Sequence, residues 1–407
     1  MRRFLAALAV SATLAAPALA GPSAEAARAA LEGGGLEAGV TAMAAKAAAD
    51  NEARFGEGLL RFARAVERYG QAQYKYGLKP PRSLAMPLLR LPVPPNPDPA
   101  TLDYAAQRAT LAAFLADLKA AEAALAKVDG EVKIVVDLNA VTLDFVGAGK
   151  PGPDAKLGAI IAALRMAPPQ TAGAEKFEAA FDRGDALWLQ GYCNLLSALL
   201  EFGLAHDWSE SFSVAAHLFY PKVSPAALAG KPRSALGRQR AMFGESGDIA
   251  DAIGLIHTIR WPVVEPARML AARGHLLKVI GLSRASWKAI LAETDDDREW
   301  VPAPKQASRA VSFAPVGQEQ VDGWLAALDD FEAALNGRKL VPHWRFEGGF
   351  NLSRFFSEPR PFDLLLWTTG HAAAPYVEQG EAFSMETWTR WQQIFRGQFF
   401  GYALWFN

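Results

Sequence analysis

The chain has 407 residues, of which 51% are hydrophobic, and its 42 basic and 43 acidic residues give a net charge of −1. That near balance gives the chain as a whole no electrostatic footprint for nucleic acid or anionic lipid. The only cysteine, Cys193, excludes an intrachain disulfide and a cysteine-based zinc site, so the apolar content alone has to build the core.

The first twenty residues have the pattern of a secretory signal peptide. Arg2 and Arg3 give a positive start, Phe4–Ala16 is apolar, and Ala18-Leu19-Ala20 forms an A-x-A cleavage site. We therefore expect cleavage after Ala20 and a mature protein, residues 21–407, that is periplasmic or secreted. No cysteine follows the cleavage site, so a lipoprotein anchor is not expected there.

The N-terminal part of the mature chain is predicted to be helical. Apolar residues at helical spacing indicate helices at about Pro22–Leu31, Glu37–Asp50 and Glu57–Tyr76. Lys79–Pro99 contains eight prolines, which no helix tolerates, and its leucines predict an extended segment laid over the helices. Asp98-Pro99 is typical of a helix start, and a long helix is expected from there to about residue 127.

One stretch alternates with the period of a strand. Glu131–Phe145 has apolar residues at every second position on both sides of Asn139-Ala140, which predicts a small β-hairpin. Helical patterns resume at Asp154–Met166 and Ala172–Arg183.

The segment Leu187–Ala205 is apolar almost all round and contains no proline. A helix of this kind is buried, or it spans a bilayer. Glu201 favours burial in a protein core, because an ionised carboxylate in hydrocarbon is costly. We therefore expect this helix to lie at the centre of the fold.

Four polar residues of the central helix, Gln190, Asn194, Ser197 and Glu201, share one face. Two interpretations remain open. In the first, these side chains hydrogen-bond neighbouring helices and fix their register. In the second, they line a binding pocket in which burial makes Glu201 an acid or base near neutral pH, with His206 close to the end of the helix.

The second half of the chain is again predicted to be helical. Further helices are expected at Asp248–Arg260, Val263–Ile280, Ser283–Glu293, Gly317–Asn336 and, with Ser384 as N-cap, Met385–Phe395. The polar stretch 294–316 is a candidate boundary within a single large domain. Residues Phe114–Leu125 resemble Trp324–Leu335, which either a duplication or two alanine-rich helices would explain.

The C-terminal segment combines aromatic rings with charged side chains. Its candidate binding residues are His343, Trp344, Arg345, Arg354, Arg360 and Asp363. Rings beside planar guanidinium groups suit sugars, carboxylates or peptide termini. The alternative is an aromatic core sealed by pairs of arginines and carboxylates.

Taken together, these patterns predict a mostly α fold, a bundle-like array of helices with one small β-hairpin. We expect an exported, soluble protein of the cell envelope that binds a ligand or partner or acts as a scaffold. It would have no metal, no cofactor, no nucleic-acid partner and no stable membrane insertion. The alternative is an envelope hydrolase that uses Glu201 or Glu358 with His206 or His343.

Overall fold

The structure is a computed structural model, and it describes residues 21–81, 87–149, 151–152, 155–159, 176–224, 253–307 and 316–407. The predicted signal peptide lies outside the described residues, and so does most of the helix expected at Asp154–Met166. Within the described residues the fold is mostly helical with short strands, which confirms the predicted fold class.

The helices and strands follow one another along the whole described chain. The helices are α1 (Pro22–Gly33), α2 (Leu36–Lys46), α3 (Asn51–Lys75), α4 (Tyr104–Leu125), α5 (Arg183–Ala205), α6 (Ser209–Phe219), α7 (Pro266–Ile290), α8 (Gln318–Leu335), α9 (Leu352–Ser357), α10 (Leu364–Thr368), α11 (Met385–Ile394) and α12 (Phe399–Phe406). The strands are β1 (Leu102–Asp103), β2 (Ile134–Asp137), β3 (Glu178–Phe181), β4 (Val223–Ser224), β5 (Arg260–Trp261), β6 (Val341–Pro342), β7 (Gly349–Phe350), β8 (Phe362–Asp363) and β9 (Val377–Glu378).

Helices α1 to α4 enclose the first of two clusters of buried hydrophobic side chains. Asp50 caps α3 by accepting a hydrogen bond from the Ala53 amide, so this helix begins earlier than predicted. Asp103 caps α4 in the same way, and the predicted start at Asp98-Pro99 is wrong. Gly58 lets α3 and α4 approach closely, because a Cβ there would lie 2.5 Å from the Leu125 side chain.

The central helix α5 lies between α4 and α7 and contributes side chains to both clusters. It begins with a capping box in which the side chains of Asp182 and Asp185 each accept a hydrogen bond from the other's backbone amide. Cys193, near its middle, is fully buried. No helix of the described residues is both long and apolar enough to cross a bilayer.

The second cluster is aromatic and lies among α7, α8, α11 and α12. Trp287 packs edge-on against Phe406, with 4.6 Å between ring centroids. Ser283 links three helices, because its hydroxyl accepts from Trp324 Nε1 and donates to the Phe406 carbonyl. These bonds satisfy the hydroxyl of a fully buried serine inside a helix. Helix α7 runs unbroken past Ser283, where the sequence predicted the start of a second helix.

The strands pair differently from the predicted hairpin. β2 pairs with β3, which is far along the chain and lies where a helix at Ala172–Arg183 was expected. The small hairpin that does form joins β6 and β7, and β9 extends it to three antiparallel strands. Alternation in the sequence therefore located β2 but not its partner, because pairing is decided by tertiary contacts.

The boundary expected near 294–316 stays a prediction. The two clusters share partly buried neighbours, since Trp188 and Trp300 pack against both of them. Their indoles lie against each other, with 5.8 Å between ring centroids.

Trp287 is 1% exposed and Trp344 is 74% exposed, which makes them a matched pair for a test of the second cluster. We expect Trp287→Ala to lower the free energy of unfolding by about 3–5 kcal/mol, because it leaves a large cavity. Trp344→Ala should lower it by only about 0.5 kcal/mol. Urea denaturation measures both values, and similar losses in the two variants would contradict this packing.

Candidate functional site

The polar face of α5 is turned towards α4 and α7. Gln190 donates a hydrogen bond to Glu122 of α4, and Asn194 Oδ1 lies 2.7 Å from Nδ1 of His275 in α7. Ser197 is also buried in this face. The contacts are those of the first interpretation, in which the polar residues join neighbouring helices.

Glu201 is held by two cations. Its carboxylate lies 2.6 Å from Lys119 Nζ of α4 and 2.7 Å from Arg268 Nη1 of α7. Burial raises the pKa of Glu201, but the bonds to Lys119 and Arg268 outweigh burial and hold the pKa below its ordinary value. A lowered pKa disfavours the second interpretation, in which Glu201 is an acid or base near neutral pH.

His206 follows α5 and lies in an aromatic environment. Its ring packs against Phe202 and Phe362, and its Nδ1 lies 2.8 Å from the Phe202 carbonyl. Arg108 binds the carbonyls of Leu204 and His206, which closes the C-terminal end of the helix. Burial lowers the pKa of His206 despite the bond to Phe202, so the neutral ring is favoured.

The candidate residues of the C-terminal segment fall into separate groups. Arg354 bridges Glu358 at 2.8 Å and Glu378 at 3.0 Å, which is the arginine–carboxylate pairing of the alternative interpretation. The bond from Arg354 holds the pKa of Glu358 below its ordinary value. Asp363 caps α10 through the Leu366 amide. Glu358 is therefore an ionised partner of arginine and not a proton donor near neutral pH.

The other group surrounds an exposed indole. Arg345 stacks on Trp344 with its guanidinium carbon 4.4 Å from the ring centroid, and Trp344 Nε1 donates to the Thr368 carbonyl. His343 Nε2 lies 3.0 Å from the Trp367 carbonyl. Arg360 is exposed. Arg345 and Trp344 form a small stacked pair at the surface, and the predicted residues do not converge on one pocket.

An apolar cavity of about 740 Å³ lies beside the second cluster, and the sequence reasoning missed it. Side chains of α5, α7, α8, α9, α11 and α12 form its walls, together with β6. Leu276, Leu328 and Phe331 are typical of the lining, and of the described lining residues only Ser384 and Asn407 carry a hydroxyl or amide side chain. Gln190, Asn194 and Glu201 do not line it.

The mouth of the cavity is formed by exposed side chains of two segments. Pro342 of β6 and Ser384 and Met385 at the start of α11 are exposed, and Met385 is 74% accessible to solvent. Ser384 caps α11 by accepting from the Thr387 amide, as predicted. The signal that could have indicated this site is the pair Met385 and Trp388, two large apolar residues three positions apart on α11 that are both exposed and both line the cavity.

A cluster of carboxylates lies at the start of α5. Ligand oxygens of Asp182, Glu293 and Glu299 lie within 4.8 Å of one another, and the carboxylate of Asp185 is buried beside them. Burial, with repulsion from Asp182, raises the pKa of Glu293 to about 9. Burial raises the pKa of Glu299 to about 7 and is the largest cause of the raised pKa of Asp185.

Oxygen ligands of this kind are those that Ca²⁺ prefers, so among the described residues these three carboxylates could hold a hard cation. Protonation relieves the repulsion within the carboxylate cluster without an ion, since Asp182 and Glu293 share a hydrogen bond. The absence of a metal therefore stays a prediction.

No protein-family model, curated protein or solved structure matches the chain.

Removal of the Glu201 carboxylate should destabilise the fold. We expect Glu201→Ala to lower the free energy of unfolding by about 3 kcal/mol, because Lys119 and Arg268 lose a buried partner. Glu358→Ala is the matched control, and the loss of its solvent-exposed pair with Arg354 should change stability far less. Equal losses in urea denaturation would contradict the central role of Glu201.

The carboxylate cluster should make stability depend on pH. A carboxyl whose pKa is raised in the folded state stabilises the fold below its ordinary pKa, and this contribution is lost as pH rises through the folded value. For Glu293 the loss should extend from pH 4.5 to about 9, and for Glu299 from 4.5 to about 7.

Glu293→Gln should therefore exceed the parent in stability by about 2 kcal/mol at pH 9, with the difference vanishing near pH 4.5. Urea denaturation in a chelating buffer at pH 5, 7 and 9 measures this difference. Glu347→Gln, at an exposed carboxylate, is the control and should follow the parent throughout. A difference that does not grow with pH would rule out a raised pKa of Glu293.

Proposed function

We propose that the protein is an exported binding protein whose ligand is an apolar small molecule held in the cavity beside α8. The observation that carries this proposal is the cavity itself, about 740 Å³ and lined almost entirely by hydrocarbon and aromatic side chains. Ligand pockets commonly enclose ~300–1,000 Å³, so the cavity has the size of a ligand site.

The chemistry of the lining selects the class of ligand. Burial of an aliphatic group there is favoured by about 0.8 kcal/mol per methylene. A polar ligand would lose its hydration and gain few bonds in return, because among the described lining residues only Ser384 and Asn407 offer a hydroxyl or an amide. A single hydrocarbon chain or a fused-ring hydrocarbon skeleton fits these walls, and a sugar or peptide does not.

The cellular location is part of the proposal. The pattern of residues 1–20 supports export, and a carrier of apolar molecules has a use in the aqueous space between membranes. A hydrolase is less well supported, because Glu201 and Glu358 are bound to arginine or lysine and His206 is held against aromatic rings. The proposed role is therefore binding without chemistry.

A series of straight-chain fatty alcohols tests the ligand class. We expect affinity to rise by about fourfold per added methylene, the equivalent of ~0.8 kcal/mol, and then to level off when the chain fills the cavity. Displacement of the fluorescent hydrocarbon probe N-phenyl-1-naphthylamine measures the affinities. A rise with no plateau would indicate adsorption to the surface, and no displacement would overturn the proposal.

The variant Val341→Trp tests the location, because residue 341 lines the cavity and tryptophan suits a strand. We expect it to weaken probe binding at least roughly tenfold, since the indole occupies the ligand's space. Val264→Trp is the control at a half-exposed valine outside the cavity. Thermal unfolding confirms that both variants fold, and equal probe binding by the two would place the ligand elsewhere.

A further inference from the structure

Helix α12 is apolar on every side, yet one of its faces lies at the surface. Phe400 is 70% exposed and Leu404, one turn later, is 57% exposed. The helix contains no charged residue. A surface helix normally places polar residues towards water, so an exposed face of this composition marks an interaction surface.

This face continues into the mouth of the cavity. The Phe400 ring lies 6.1 Å from that of Trp388, and Trp388 lines the cavity. Ala403 of α12 and Met385 of α11 line the same cavity from either side. The exposed face of α12 and the rim of the mouth therefore form one apolar surface.

The segment that forms α11 and α12 carries more basic than acidic side chains. Residues 384–407 contain two basic side chains, Arg390 and Arg396, and one acidic side chain, Glu386, and all three are exposed. Arg396 lies in the turn between the two helices, with a backbone φ of 51°. The segment thus carries a net positive charge, whereas the whole chain is slightly negative. Anionic headgroups complement such a border.

The length of α12 decides how it could meet a membrane. Eight residues of helix extend about 12 Å, whereas the hydrocarbon core of a bilayer is about 30 Å thick. The helix can only lie at the interface, with aromatic and aliphatic side chains inserted below the headgroups.

We propose that the exposed face of α12, with the rim of the cavity, docks on the surface of an anionic phospholipid bilayer, and that the apolar ligand passes between the bilayer and the cavity there. The passage of ligand rests on the proposed function, whereas the docking itself does not. A second copy of the chain is the competing occupant of the face, and the experiment below separates the two.

Sedimentation of the mature protein with vesicles of phosphatidylglycerol and phosphatidylethanolamine tests the docking. The double variant Phe400→Ser with Leu404→Ser should lower the partition coefficient at least roughly tenfold, because it removes two inserted apolar side chains. Arg390→Gln with Arg396→Gln should weaken binding to these vesicles roughly fivefold per charge and leave binding to neutral phosphatidylcholine vesicles unchanged.

Val264→Ser with Leu270→Ser is the matched control, since both residues are half exposed and neither lies on α11 or α12. It should bind vesicles like the parent. Docking is overturned if the parent does not sediment with the vesicles, or if the α12 variant sediments as the parent does. It is also overturned if the parent is a dimer in ultracentrifugation and the α12 variant is a monomer.

Binding of the fluorescent probe distinguishes a failure of membrane docking from a failure of ligand binding in the cavity. Phe400 and Leu404 do not line the cavity, so the α12 variant should bind N-phenyl-1-naphthylamine as tightly as the parent. Vesicle binding without probe binding would leave the docking intact and overturn the role of the cavity. Probe binding without vesicle binding would overturn the docking alone.

Discussion

The ion pairs of Glu201 hold the centre of this protein together. A carboxylate buried in a mostly apolar helix would be costly if it stood alone, and here it is compensated by Lys119 from α4 and Arg268 from α7. Because α4 belongs to the first cluster and α7 to the second, one side chain fixes the position of α5 relative to both. The helix thereby serves as a common wall for the two halves of the core.

The two clusters are packed in different ways, and the cavity lies beside the aromatic one. In the first, glycine and alanine let helices approach until side chains interlock, as at Gly58 against Leu125. In the second, large rings meet edge-on or stacked, as Trp391 does with Phe399 at 5.1 Å. Rings of α8 and α11 line the cavity, whereas α12 contributes Ala403 to its wall.

The sequence predicted those features that depend on local pattern. The central helix, the cap at Ser384 and the predominance of helix follow from periodicity and capping residues, and the structure confirms them. The partner of β2 and the unbroken course of α7 depend on contacts with distant residues, such as Ser283 with Phe406, so sequence spacing could not give them.

The candidate site also combines features that the local sequence pattern predicts with features that it does not. The polar face of α5 was correctly placed on one side of a helix, but a sequence does not reveal that Lys119 and Arg268 would meet Glu201 there. The cavity collects residues from six helices and a strand, and most of these residues have the pattern of ordinary core residues in the sequence. Only the three-dimensional arrangement distinguishes a lining residue from a packed one.

The buried thiol of Cys193 has a practical consequence. Burial raises its pKa far above the ordinary value, and alkylating reagents react with the thiolate, so the native protein should resist them. Since the chain has no other sulfhydryl, each modified molecule records one occasion on which the middle of α5 was uncovered. The rate of alkylation, measured by mass spectrometry, therefore reports how often the core opens around Cys193, without an added label.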